Sequence, residues 1–377
     1  MANAPLKALT DASIFTGEAF VEGHALLLQD GLILDIVAKN RIPAEARTIP
    51  YPDNILAPGF IDCQVNGGGN VLFNAATDTE SVVAIAKAHA RYGTTRLLLT
   101  CISDSKEVMQ RALGLMREAR RLCPNILGIH FEGPHLSTTH RGVHDAAFLR
   151  DMEPDDLRFM TPEPDEIMLA TVAPERVTPE QIRQLVAQGV IVSLGHTAAS
   201  LEQIRAALEA GATGFTHLFN GMGTMSARCP GPVGVALDDR ESWCGIIADG
   251  HHVSDEMIRL ALRAKPPGKL FLVSDAMPPA GSDAPQSFKL YGETSRIENG
   301  QCLNGEGRLA GSSITLSQAV RYCVKSVGID PAEALRMAST YPAAFLGLGD
   351  KLGKLLPGYK ADVAVLDRNF SVKLTSS

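Results

Sequence analysis

Between about Ile55 and Leu348, short runs of consecutive apolar residues alternate with longer stretches in which apolar positions recur every three or four residues. The first pattern marks buried strands and the second amphipathic helices. The strand pattern falls at 57–65, 94–101, 126–132, 167–172, 190–195, 213–217, 244–249 and 270–275, eight in all. Helical stretches lie between most of them, at 78–91, 104–121, 178–188, 200–210 and 254–264. In 178–188, Ile182, Leu185 and Val186 form an i, i+3, i+4 stripe, and Thr178 is placed to cap the helix with Gln181 three residues on. Eight β-α units in one run predict an α/β protein of the (β/α)8 TIM-type barrel class. A doubly wound sheet is the alternative. It lacks its phosphate-binding signature here, since "GMGTMS" has Ser226 where the third glycine belongs.

The two ends of the chain follow another rule. Residues 1–54 hold the β-like runs "HALLLQDG", "LILDIVA" and "ARTIPYP", and "PGYKADVAVLD" at 357–367 reads as one more hairpin. Neither end has a helical period. We therefore expect a second, small β-sandwich-like domain built from residues 1–54 and 350–377, beside a barrel over 55–349. The polar, glycine-rich stretch 281–311 follows the eighth strand and is expected to form a loop or hairpin over the barrel mouth.

Composition narrows the function. The formal net charge of the 377 residues is −7, with no run of Lys or Arg, so nucleic-acid binding has no electrostatic support. No apolar stretch nears the roughly 20 residues of a membrane span. The N-terminal Met-Ala-Asn-Ala-Pro-Leu-Lys lacks the pattern of a signal peptide. The seven cysteines include no C-x-x-C pair, which argues against a disulfide framework or a cysteine zinc site and for a cytoplasmic location.

Candidate chemistry gathers at the strand ends, where barrels of this class carry their active sites. The third strand ends in Glu132, the fifth in His196, the sixth in His217, the seventh in Asp249-Gly250-His251-His252 and the eighth in Asp275. One Glu and two His make a reasonable Zn²⁺ ligand set with a fourth position open to water, whose pKa then falls towards ~7. A nearby carboxylate such as Asp275 would take and return the proton. Taken singly, His196 or His217 reads as a hydrogen-bonded structural residue and Asp275 as a helix or turn cap. Glu132 resists that reading, because an unpaired buried carboxylate is costly. His130 shares a strand face with Glu132 and is expected to pack beneath the site, while His24, His89 and His135 read as structural or surface residues. His140 and His144 are four apart, but Gly142 between them favours a loop. The first strand raises a separate question. It places Asp62, Gln64 and Asn66 at alternate positions, facing one way, with no histidine among them.

These segments, "PGFIDCQVNGGG", "HFEGPHLS", "RGVHD", "SLGHTAAS", "THLFNGMG", "ADGHHVS", "LVSDAM" and "GRLAGSS", together resemble the N-acetylglucosamine-6-phosphate deacetylase family of the amidohydrolase superfamily. The resemblance runs in order from about residue 50 to the end. Many amidohydrolases end their first barrel strand in His-x-His, which holds one metal of a pair. Gln64 and Asn66 stand there in this chain. Neutral amides are poor transition-metal ligands beside imidazole.

The resemblance therefore implies one divalent metal ion per chain, held by Glu132, His196 and His217. Zn²⁺ is foremost, with Fe²⁺, Co²⁺ and Mn²⁺ also compatible. It implies that Gln64 orients a water, that Asp275 acts as general base and then general acid, and that His252 polarises the amide carbonyl and touches the sugar. It assigns Val143, His144, Asn220, Gly221 and the backbone of Leu309, Ala310 and Gly311 to the sugar phosphate. Arg228 matches an arginine reaching the phosphate of the neighbouring subunit's substrate, which implies a homodimer or higher homo-oligomer. The implied reaction turns N-acetylglucosamine 6-phosphate into glucosamine 6-phosphate and acetate, in amino-sugar catabolism or cell-wall sugar recycling. Two alternatives stay open: the same chemistry on N-acetylgalactosamine 6-phosphate, and a non-catalytic amidohydrolase-like scaffold.

Overall fold

In the computed structural model, which describes residues 4–376, eight parallel strands form one sheet in sequence order. They are Phe60–Val65, Thr94–Ile102, Ile126–Glu132, Ile167–Val172, Ile191–Leu194, Gly214–Phe215, Trp243–Ile246 and Leu270–Leu272. A parallel bridge between Val65 and Ala276 brings the far end of the eighth strand back to the first, closing the barrel at its C-terminal rim.

Alternation along the strands sorts the side chains. Leu97, Leu99 and Cys101 of the second strand and Ile129 and Phe131 of the third pack into the large cluster shared with the helices. The intervening polar residues bond to one another inside the barrel. His130 Nε2 lies 2.7 Å from Thr171 Oγ1, and its Nδ1 lies 3.1 Å from Thr100 Oγ1. Thr171 Oγ1 is 2.6 Å from Thr216 Oγ1, which donates to Ser193 Oγ at 2.9 Å. His130 is thus a buried, hydrogen-bonded residue two positions before Glu132 on the same face. Burial pushes it down to about 4, so it is neutral at physiological pH.

The predicted helices are present as Thr79–Ala90, Lys106–Leu122, Pro179–Ala187, Leu201–Glu209 and Asp255–Ala264. Thr178 and Gln181 form the expected capping box. Helix Gly231–Asp238 was not legible. It opens on Gly-Pro, carries Gly234 inside, and is buried nearly all round, so it has neither strong propensity nor a polar face.

Several strand limits differ from the sequence reading. The run 57–65 is two strands. Asn54–Pro58 belongs to a terminal sheet, and the barrel strand starts at Phe60. Gly59 joins them where a Cβ would stand 2.1 Å from Thr95 Oγ1, so only glycine passes there. The fifth, sixth and eighth strands are shorter than expected, and just past them His196, His217 and Asp275 have φ of 48°, 30° and 50°, left-handed values that extended backbone does not take. The C-terminal hairpin is Val363–Asp367 with Val372–Ser376, while Gly358 and Tyr359 bond instead to Ile33.

Both chain ends meet in two further sheets. Leu32–Ala38, His24–Gln29, Lys7–Thr10 and Arg47–Pro50 form one, and Val372–Ser376, Val363–Asp367, Asn54–Pro58, Ser13–Phe15 and Phe20–Val21 the other. Leu9, Leu26, Leu28 and Ile33 from the first share a buried cluster with Ile14, Leu56, Val363 and Val365 from the second. Arg96 of the second barrel strand grips Asp362 with two hydrogen bonds, at 2.6 and 3.0 Å.

The stretch 281–311 is more ordered than a loop. Phe288–Leu290, Glu293–Glu298, Gln301–Leu303 and Leu309–Ser312 make a four-stranded antiparallel flap. Tyr291 latches it by donating to Ser103 O at 2.6 Å. Among the described residues no helix is long and apolar enough to cross a membrane.

Candidate active site

Glu132 is the last residue of the third barrel strand, and His196 and His217 stand just past the ends of the fifth and sixth. All three are buried. Their nearest donor atoms lie within 4.8 Å of one another. Glu132 Oε1 is 3.2 Å from His196 Nε2 and 2.9 Å from His217 Nε2, and the two Nε2 atoms are 3.0 Å apart. His196 Nδ1 donates to His140 O at 2.9 Å, which leaves its Nε2 with a bare lone pair aimed at the other two ligands. Two imidazole nitrogens and a carboxylate turned towards one point, all three side chains buried, fit a divalent cation of borderline softness. Burial alone would raise the Glu132 carboxyl, but the adjacent His196 and His217 imidazoles hold it well below the usual carboxylate range. For His217 the same contact outweighs burial and raises the imidazole. The left-handed φ of His196, His217 and Asp275 is backbone strain concentrated on three residues that face one another.

The first strand fills the other side. Gln64 Nε2 donates to Glu132 Oε1 at 3.0 Å and to Asp275 Oδ1 at 3.1 Å. Asn66 Nδ2 donates to the same Asp275 oxygen at 2.6 Å. Both amides thus act as hydrogen-bond donors to carboxylates, a task a metal-bound imidazole nitrogen could not perform. Burial, and next the Glu132 carboxylate, push Asp275 up to about 6. Asp62, deeper in the same strand, has its Oδ1 on the Gln64 and Ser274 backbone amides, both at 3.2 Å.

His252 lines the same cavity, with Nδ1 2.7 Å from Asp249 Oδ2. Asp249 Oδ1 also accepts the His251 and His252 backbone N–H groups, each at 2.8 Å. Burial would raise the Asp249 carboxyl, but the His252 contact brings it down to about 2. The ring nitrogen left for a ligand is therefore Nε2. His251 turns away to Gln301 of the flap.

The cavity has a volume of about 160 Å³ and is bounded by Val143, His144, Asn220, Gly221, Leu309 and Gly311 besides the groups above. His144 Nδ1 is held 2.8 Å from Ser103 Oγ, and burial, then the neighbouring His196, lower it to about 3. Of the residues expected at the sugar phosphate, Ala310 and Arg228 do not line this cavity. The Ala310 side chain is buried behind the wall, because alternation in the flap strand turns it from Leu309 and Gly311, whereas the contact expected there is through the backbone. Arg228 sits on the exposed loop between Met225 and Pro230 and does not line this cavity. Asn66 and Asp249 were not assigned site roles in the sequence. The alternation of Asp62, Gln64 and Asn66 was the available signal for Asn66, and the three-residue spacing to His252 the one for Asp249.

Comparison with known proteins agrees along nearly the whole chain. Residues 55–376 match the model of the Amidohydrolase family, and 7–50 that of the NagA composite domain. The chain is 41% identical to the N-acetylgalactosamine-6-phosphate deacetylase of Shewanella sp. (strain ANA-3), over 94% of this chain and 91% of that one. It is 34% identical to the N-acetylglucosamine-6-phosphate deacetylase of Haemophilus influenzae, over 97% and 96%. The crystal structure of N-acetylglucosamine-6-phosphate deacetylase from Pasteurella multocida superposes with a TM-score of 0.95 at 36% identity, covering 98% of each chain. The chain belongs to the amidohydrolase family.

Proposed function

We propose that the protein hydrolyses the acetamide of N-acetyl-D-glucosamine 6-phosphate, releasing acetate and D-glucosamine 6-phosphate. The observation that carries this reading is the convergence of Glu132, His196, His217 and Asp275 on one small cavity, in a chain that matches deacetylases of this class over nearly its full length. Glu132, His196 and His217 would hold a single divalent ion, Zn²⁺ foremost. Such an ion supplies Lewis acidity, making hydroxide available near neutral pH and drawing charge from a carbonyl oxygen.

The chain's own groups do the rest. Asp275 accepts the proton of the attacking water and delivers it to the nitrogen as the C–N bond breaks. Gln64 and Asn66 fix that carboxylate by donating to it. His252, anchored through Nδ1 by Asp249, offers Nε2 to the carbonyl or to the sugar. Val143, His144, Asn220, Gly221, Leu309 and Gly311 border the sugar phosphate. Arg228 is exposed and outside its own cavity, which suits a contact with the phosphate in a second subunit of a homodimer. A reducing cytoplasm suits its seven unpaired cysteines.

The relative at 41% identity favours a second reading, the galactosamine epimer. Acetate release from both N-acetylhexosamine 6-phosphates by metal-loaded protein decides between them. The reading holds if kcat/KM is higher for the glucosamine substrate, and the epimer replaces it if the order is reversed. No acetate from either substrate would leave a binding scaffold.

A further inference from the structure

One side of the cavity is hydrocarbon. Ile102, Met277 and Leu290 belong to one buried apolar cluster against which Val143 packs, separate from the barrel core. All four line the cavity, whose other lining side chains are mostly polar. The position of this wall is set by the backbone. Ile102 pairs with Glu132 in the sheet ladder, and Met277 lies two residues past Asp275. The wall therefore begins between the candidate metal ligands and the candidate base, where a scissile carbonyl has to sit. Leu290 arrives from the flap and completes it.

Leu290 is also a partition. With Gly142 and Val143 it borders a second cavity of about 210 Å³. That cavity is polar, lined by Arg141, Glu293, Arg308 and the fully buried Ser295, whose Oγ has no hydrogen-bond partner among the described residues. Space thus lies on both sides of the wall, and Leu290 is the largest of the three residues common to the two linings.

Resting on the deacetylase reading, we infer that Leu290, beside Ile102 and Met277, is the residue that limits the length of the acyl group. A hexosamine phosphate presents hydroxyls and phosphate around its ring, and its one hydrocarbon end is the methyl of the acetyl group. That methyl is one bond from the carbonyl, so it meets the apolar wall. A longer acyl chain collides with Leu290. Shortening Leu290 joins the two cavities, so the space released stays open to the added carbon.

The test compares N-acetyl-, N-propanoyl- and N-butanoylglucosamine 6-phosphate with metal-loaded wild type, Leu290→Ala and Leu290→Val. The readout is the ratio of kcat/KM for the longer acyl group to that for acetyl, which does not depend on the fraction of folded protein. Wild type should favour acetyl. Leu290→Ala should raise the propanoyl ratio by at least about tenfold, the worth of one methylene in an apolar pocket, and Leu290→Val by less. An unchanged ratio in active variants overturns the inference. So does an equal fall on all three substrates, which would place the sugar ring against this wall. Should wild type release no acetate, the deacetylase reading itself fails, a result distinct from an active enzyme with a fixed ratio.

Discussion

Asn66 donates its side-chain amide to Asp275 Oδ1 at 2.6 Å, across the seam where the first and eighth strands close the barrel. Gln64 reaches the same oxygen at 3.1 Å. A carboxylate that accepts two hydrogen bonds is favoured in its charged form and fixed in orientation. The amides in the first strand thus hold in place the carboxylate proposed as the base.

The pH profile should record this contact. Asp275 is pushed up to about 6, and the Asn66 hydrogen bond is one of the influences that lower it. A general base works deprotonated, so kcat/KM is lost as pH falls through its pKa. A bound cation favours the carboxylate, so the acid limb of the loaded enzyme should lie at or below pH 6. In Asn66→Ala that limb should move to higher pH by roughly one unit, the worth of a hydrogen bond to a charged group. A limb that stays in place would remove Asn66 from the control of Asp275.

Asp275→Asn should keep the fold and the metal while losing about 10² to 10⁴-fold in turnover, the usual contribution of one proton shuttle, or more since it acts twice. Metal content and circular dichroism check the first part and steady-state kinetics the second. Retention of more than a tenth of wild-type turnover would exclude Asp275 as the shuttle.

Elemental analysis of protein prepared without chelator should find one tightly held divalent metal per chain. Gln64 and Asn66 are engaged as donors to carboxylates, and amide groups so used offer little to a second ion. His196→Ala should lose the metal and the activity together. Two equivalents, both required for turnover, would show that further ligands exist.

Arg228→Ala should raise KM strongly for phosphorylated substrate and change little for the unphosphorylated sugar. A charged contact worth about 2–4 kcal/mol corresponds to roughly 30- to 1000-fold. Mixing Arg228→Ala chains with Asp275→Asn chains should restore part of the activity, because one composite site in the heterodimer is intact. If subunits exchange and no activity returns, Arg228 does not act across an interface.

The Arg96–Asp362 pair ties the second barrel strand to the chain just before the terminal hairpin, with both side chains at most 14% exposed. Asp362→Ala would leave a largely buried guanidinium without its partner. Denaturant unfolding should show a loss of about 3–5 kcal/mol. A loss under ~1 kcal/mol would mean that water replaces the carboxylate there.

The sequence by itself determined what depends on near neighbours. Short apolar runs and the 3.6-residue period mark the eight strands and five of the helices, because both depend only on residues close in the chain. That places Glu132, His196, His217 and Asp275 at one rim, since parallel strands all end on the same side. The tertiary structure decided what depends on closure. Whether Asn66 meets Asp275, 209 residues away, is set by how the eighth strand returns to the first. The left-handed backbone at His196, His217 and Asp275, just past the short fifth, sixth and eighth strands, is one that His and Asp tolerate better than most residues but that their surroundings select. That the Ala310 side chain faces away from the cavity while Leu309 and Gly311 line it is likewise set by the folded flap. Leu290 carries no signal in the sequence, being one apolar residue in a polar stretch. Only the folded flap sets it between two cavities.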